Sequence, residues 1–173
     1  MDELIDILDD KGNKIGEELK SVAHHRGLWH KSVHVIINNI NSDMSLFQKR
    51  CSLKDLYPNK WDIAVGGHVG AKEEEINAAI RELKEELGIT VNIDELKLIN
   101  VVKENLLDNN IISNEFVYIY LLQKDIDIKS IRLQKEEVSD IRWLSKFEIN
   151  NYVNNNMVVP HKEDFKIINE LLH

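Results

Sequence analysis

The sequence predicts an α/β (α+β) fold in which a mixed β-sheet is sandwiched between helices. Three observations predict it. Apolar, β-branched runs of strand length are interleaved with segments of helical periodicity. A helix in mid-chain, from about Glu74 to Leu87, carries an apolar stripe of Ile76, Ile80, Leu83 and Leu87 and stops at Gly88. No internal repeat, low-complexity linker or composition break divides residues 1–173, so one domain is expected, and 173 residues suffice to bury a core.

The elements follow in order. "ELIDILD" alternates as a short strand, and "DDKGN" turns the chain back. "SVHVIIN" (Ser32 to Asn38) is β-branched and apolar, which suits a buried strand, with "SLFQKR" as its hairpin partner across "NINSD". "LYPNKWD" breaks regular structure around Pro58. After the acidic helix, Gly88 supplies the left-handed stop. "LKLINVVKE" and "EFVYIYLLQ" are two more strands, separated by a polar insert, "NLLDNNIIS". "DIRWL" is a further short strand, and "SKFEINNYV" and "KEDFKIINELL" are helices, the first capped by Ser145.

Composition narrows the function. Hydrophobic residues make up 43% and charged residues 30%, an ordinary globular balance. A net charge of −8 argues against a nucleic-acid polymer as partner, and a phosphate substrate would need cations to mediate its binding. Cys51 is the only cysteine, so no internal disulfide forms, which suits a reducing compartment. "MDELIDILDD" has no basic start or apolar stretch of a secretion signal, and no apolar run approaches the roughly 20 residues of a membrane span. A cytoplasmic location without membrane attachment is expected.

The acidic helix breaks a local rule. Glu82, Glu85 and Glu86 fall within an arc of roughly 100°. Like charges so spaced repel by a few tenths of a kcal/mol per pair, and they sit in the half of the helix where the dipole favours cations. A divalent cation resolves both conflicts, and clustered hard oxygens suit Mg²⁺ or Mn²⁺. A solvated acidic face is the other reading of such a helix taken alone.

The flanks decide between them. The stretch reads Gly67, five residues, Glu73, seven residues, then Arg81-Glu82-Leu83-Lys84-Glu85-Glu86-Leu87-Gly88-Ile89. It resembles the Nudix box, G-x5-E-x7-R-E-U-x-E-E-x-G-U with U aliphatic, at every specified position. Seven fixed residues of ordinary abundance coincide on the order of once in 10⁸ starting points. The resemblance implies a Nudix fold, a loop–helix–loop catalytic element, and metal-dependent cleavage of a diphosphate linked to another group. It implies that Glu82, Glu85 and Glu86 bind metal and that Glu82 or Glu85 assists the attacking water. Arg81 would hold the helix carboxylates, Glu73 would brace the element, and Gly67 would let backbone approach the metal.

"AHHRGLWHKSVHVII", "LFQKRCSLKDLYPNKWDIAVGGH" and the box together are similar to the Nudix branch containing isopentenyl-diphosphate isomerases and their hydrolase relatives. The isomerases carry a catalytic cysteine where this chain has Gly66, and glycine offers no proton for alkene chemistry. Isomerases also have a degraded box, whereas this one is intact. In that branch His24, His30 and His68 correspond to metal ligands, although the His24–His30 spacing is one residue short. Glu115 matches a strand glutamate, an extra metal ligand or general base, while the companion carboxylate position is Ser113. A second metal site and a set of hydrogen-bonding histidines are both open. The counterparts of Arg50 and Lys54 bind diphosphate. Trp61 and Trp143 read as core anchors, and Cys51 as a small buried residue.

The expected function is therefore an Mg²⁺- or Mn²⁺-dependent pyrophosphohydrolase of a small diphosphate compound, with a homodimer an admissible assembly. The alternatives are an isopentenyl-diphosphate isomerase, disfavoured by Gly66, and a non-catalytic ligand-sensing domain. The last predicts losses among Glu82, Glu85 and Glu86, and none is lost. The polar insert and the C-terminal "NNNMVVPHKEDF" are expected to border the pocket.

Overall fold

The computed structural model describes residues 2–173. Its nine strands are β1 (Leu4–Leu8), β2 (Lys14–Leu19), β3 (Trp29–Asn38), β4 (Met44–Arg50), β5 (Trp61–Ile63), β6 (Val65–His68), β7 (Leu96–Asp108), β8 (Ile111–Gln123) and β9 (Val138–Ser145). Four helices accompany them: α1 (Lys20–Arg26), α2 (Glu75–Leu87), α3 (Lys146–Asn154) and α4 (Lys162–Leu171). Among the described residues, no helix is long and apolar enough to cross a membrane.

β3 is the axis of this mixed sheet. β8 runs parallel along one edge, from Trp29↔Asn114 to Asn38↔Gln123. The other edge is shared by β1 at Trp29 and His30 and by β6 at Ser32–Val35. That occupancy corrects the expected β3–β4 hairpin. The turn is where it was expected, but only Asn38↔Ser45 pair, because β6 already takes the edge that β4 would need. β4 instead runs beside β9, from Met44↔Ser145 to Arg50↔Val138.

Alternation along β3 sorts the two cores. Val33, Val35 and Ile37 face α2, where Ala78, Ala79, Leu83 and Leu87 meet them. Ile36 faces the opposite way, with Val117, Ile119 and Leu121 of β8, and is covered by Ile149 of α3 and by Phe165 and Ile168 of α4. The sheet thus lies between helices. Trp61 is buried, Trp143 packs partly buried against the α2 core, and Cys51 is buried as a small residue.

The polar insert is a second correction. Asn105–Asp108 completes β7 and Ile111–Ser113 begins β8, so the two form one long hairpin through Asn109 and Asn110. Both asparagines have positive φ, 47° and 65°, the backbone of a two-residue turn matched to strand twist. β2 and α1, which the sequence did not announce, lead into Gly27, whose left-handed φ of 62° closes α1. Ser145 caps α3 as expected, in a reciprocal capping box with Glu148.

Candidate active site

A cleft of about 350 Å³ opens where α2, β3, β6 and β8 converge. β6 alternates across it. Gly67, opposite Val33, faces α2, whereas Gly66 and His68, opposite His34 and Ser32, face the other way. The fit at Gly67 is close: a Cβ there would lie 2.2 Å from Glu82 Cδ and 2.3 Å from its Oε1. Glycine is required at this position because the Glu82 carboxylate fills the space a side chain would occupy.

Arg81 organises the acidic helix. Its Nε donates to Glu73 Oε1 and its Nη2 to Glu73 Oε2, both at 3.0 Å. Nη2 also donates to the His68 carbonyl at 3.0 Å, and Nη1 to Glu82 Oε1 at 2.7 Å and Glu85 Oε2 at 3.2 Å. Glu73 in turn accepts the Gly70 amide at 2.9 Å, so the loop before α2 is fastened to its second turn. Gly88 ends the helix at φ 67°.

Arg81 compensates the carboxylates only in part. Burial pushes the Glu86 carboxyl up to about 8, with repulsion from Glu82 adding to it, and the Gln48 amide at 3.0 Å only partly offsets this. Burial likewise pushes Glu82 up to about 7, against the pull of Arg81. Glu85 is half-exposed, its side chain 51% accessible. One buried carboxyl, one partly buried and one open to the cleft fit a hard divalent cation, which would favour the ionised form of Glu82 and Glu86.

The structure also brings His24, His30, His68 and Glu115 together, with one candidate ligand atom of each within 4.8 Å of the others. His24 Nε2 faces His68 Nε2 at 3.0 Å. His30 is fully buried, and its Nδ1 donates to the Leu28 carbonyl at 2.8 Å. That bond fixes the tautomer and leaves Nε2 a buried atom without a partner, 3.9 Å from Glu115 Oε1. Burial would raise Glu115, but His30, His68 and the Ser113 hydroxyl outweigh it and hold the carboxyl well below its usual range. Burial lowers His24 to about 4. Lone pairs converge on an ionised carboxylate, a donor set that fits a divalent metal.

The residues matched by a NUDIX domain model are 28–164, most of the chain. The chain belongs to the Nudix family. An uncharacterized Nudix hydrolase of Clostridium acetobutylicum is 33% identical over 171 residues, covering 98% of this chain and 82% of that one. Isopentenyl-diphosphate Delta-isomerase 2 of Photorhabdus laumondii is 29% identical over 171 residues, covering 99% and 93%. A solved Deinococcus radiodurans structure matches with a TM-score of 0.73 at 20% identity, over 99% of this chain and 100% of that one, a likeness of fold. This Nudix chain is thus a hydrolase of pyrophosphate bonds with isomerase-like relatives.

Within the Nudix cleft, Arg50 and Lys54 both line the wall, each with an internal partner. Arg50 Nη1 donates to Asp62 Oδ2 at 3.1 Å and its Nε to the Leu56 carbonyl at 3.0 Å, while Lys54 pairs with Glu137. An incoming diphosphate would compete with those carboxylates. Val159 and His161 of the C-terminal segment line the same cleft, as expected.

Sequence reasoning missed a buried network on the far side of Gly66. His34 Nδ1 lies 3.0 Å from Asp164 Oδ1, and His161 lies between Asp62 Oδ1 (3.1 Å from Nε2) and Glu104 Oε2 (2.7 Å from Nδ1). The signal was available in part. A histidine in the apolar strand "SVHVIIN" and an aspartate in "WDIAV" stand among residues that bury, and a buried charged side chain needs a partner.

Proposed function

We propose that this Nudix protein cleaves the diphosphate linkage of a nucleoside diphosphate derivative or similar small compound, using Mg²⁺ or Mn²⁺ held by Glu82, Glu85 and Glu86. One observation carries the reading: Glu82, Glu85 and Glu86 line one cleft together, and burial works against the charged forms of Glu82 and Glu86 despite the Arg81 guanidinium beside them. When bound, the ion would polarise phosphorus, neutralise charge on the leaving group and lower the pKa of a water. The protein's own part is placement. Gly67 admits the Glu82 carboxylate, and Arg81 holds Glu82 and Glu85 through one nitrogen while its other two bind Glu73. Glu85, open to the cleft, is the better placed of Glu82 and Glu85 to take a proton from the attacking water. Arg50 and Lys54 would receive the phosphate distal to the box. The His24, His30, His68 and Glu115 cluster supports a second ion.

That cluster is also what favours an isomerase as the second reading, and Gly66 is what opposes it. Both are tested together. A panel of nucleotides, nucleotide sugars, dinucleoside compounds and isopentenyl diphosphate is incubated with Mg²⁺ or Mn²⁺, scoring phosphate, pyrophosphate and double-bond migration. The expected result is metal-dependent release of phosphate or pyrophosphate, falling at least about 100-fold in Glu85→Gln/Glu86→Gln. Hydrolysis that survives chelation, or clean migration without hydrolysis, would overturn the proposal.

A further inference from the structure

We propose that His34, Glu104 and His161 form a transition-metal site of the kind zinc occupies, distinct from the box carboxylates and from the His24 cluster. The three side chains come from β3, β7 and the residue preceding α4, and one candidate ligand atom of each lies within 4.8 Å of the others. Both imidazoles are buried, and their ring centroids are 4.5 Å apart.

What distinguishes this group from a chance meeting of polar side chains is the layer behind it. His34 presents Nδ1 to Asp164, 3.0 Å away, and His161 presents Nε2 to Asp62, 3.1 Å away. Asp62 and Asp164 are themselves buried. Each ring therefore commits one nitrogen to an aspartate. His161 turns its remaining nitrogen to Glu104, and among the described residues nothing hydrogen-bonds His34 Nε2. Carboxylates in that position fix the tautomer and raise the basicity of metal-binding histidines.

Charge supports the same conclusion. Glu104 stands directly across the β7–β8 ladder from Glu115, a like-charged pair that costs stability unless each is neutralised elsewhere. Glu115 turns to the His24 cluster and Glu104 to His161. Around the proposed site, Asp62, Asp164 and Glu104 face the Arg50 guanidinium and the His34 and His161 rings. A divalent ion would take the place of the ring protons that those carboxylates favour.

Two imidazoles and one carboxylate are borderline donors, suited to Zn²⁺ and its Co²⁺ and Ni²⁺ mimics rather than to Mg²⁺. Bonds of about 2.0–2.2 Å place tetrahedral ligands about 3.3 Å apart, so drawing in even the widest pair asks for movement of about 1.5 Å or less. Three protein ligands leave one coordination position. Both His34 and His161 line the cleft, so that position is accessible to water or to a substrate oxygen.

The inference stands apart from the reaction proposed above. Crystals of the full chain grown with zinc chloride are measured on both sides of the zinc absorption edge. An anomalous peak about 2.0–2.2 Å from His34 Nε2, His161 Nδ1 and a Glu104 oxygen is expected. Peaks confined to the box or to the His24 cluster, or no peak, overturn the site. In solution, the chelator-treated wild type should bind one more equivalent of Co²⁺ than folded His34→Gln. Asp164→Asn, which keeps every ligand, should weaken that equivalent about 10–100-fold. Equal stoichiometry in wild type and His34→Gln refutes the proposal without recourse to crystals.

Discussion

Replacing Gly67 by alanine isolates the geometric demand at the centre of the Nudix element. The added Cβ would lie 2.2 Å from Glu82 Cδ, 2.3 Å from Oε1 and 2.5 Å from Cγ. Comfortable carbon contacts begin near 3.5 Å, so the shortfall is about 1.3 Å. Every atom it meets belongs to the far end of a rotatable side chain, so Glu82 swings away and the backbone stays. The swing breaks the 2.7 Å bond to Arg81 and moves the carboxylate about 1 Å or more from its place. Misplacement on that scale costs on the order of 100-fold in rate. Gly67→Ala should therefore lose about 100-fold in kcat at saturating Mg²⁺ while Tm moves by no more than about 3 °C. Gly66→Ala meets nothing closer than 3.5 Å and Gly16→Ala nothing within 4 Å, and both should stay within about threefold of wild type. Steady-state kinetics on the best substrate of the panel, with thermal melts of the same samples, provide the measurement. Wild-type kcat in Gly67→Ala, or an equal loss in Gly66→Ala, would refute the reasoning.

Other expectations follow from the same contacts. Arg81→Lys keeps the charge but not the planar fork that reaches Glu73, Glu82 and Glu85, so kcat should fall at least about 10-fold. Burial would raise the Glu73 carboxyl, but Arg81 and the Gly70 amide outweigh it and hold it below the ordinary 4.5. Its stabilisation is then present above that pH and lost as pH falls through the folded-state value. Melts of wild type and Glu73→Gln should differ at pH 6 and converge in acid, and a gap that widens in acid would contradict the sign. Leu83→Ala empties a fully buried site between α2 and β3 and should cost about 2–5 kcal/mol in denaturant unfolding. Asn110→Gly relieves a φ of 65° in the β7–β8 turn and should raise Tm by about 2 °C.

Local signals in the sequence were strong where one side chain or one turn decided the outcome. The period of Leu83 and Leu87, the stop at Gly88 and the cap at Ser145 all act within a few residues, and each is found in the structure. The acidic box was legible for the same reason, since its spacing lies within one loop and one helix. What stayed hidden depends on pairing at a distance. Which strand lies beside β3 is a competition among β4, β6 and β8 that no single segment records. β7 and β8 looked like two strands with a polar gap because Asn109 and Asn110, not glycine, make the turn. His34, Asp62, Glu104, His161 and Asp164 span 130 residues of sequence from first to last, and nothing local says that they meet.

Gly66 then becomes a sharper test of the isomerase reading than its missing thiol suggests. A side chain there has room, since the nearest atom to a Cβ is His34 Cδ2 at 3.5 Å, so glycine is not enforced by packing. Gly66→Cys should fold and place a thiol beside His34. The hydrocarbon of isopentenyl diphosphate would still have to lie against His34, Asp62 and His161, buried groups that a hydrocarbon cannot hydrogen-bond. Most of these groups already bond one another, but among the described residues His34 Nε2 has no protein partner. Covering it with hydrocarbon costs about 1–3 kcal/mol, roughly 5-fold to 150-fold in binding. The variant is accordingly expected to form no dimethylallyl product above background when followed by proton NMR in deuterated buffer. Restored isomerisation would mean that the polar side of the cleft does not select the substrate, and that one thiol alone separates this chain from its isomerase relatives.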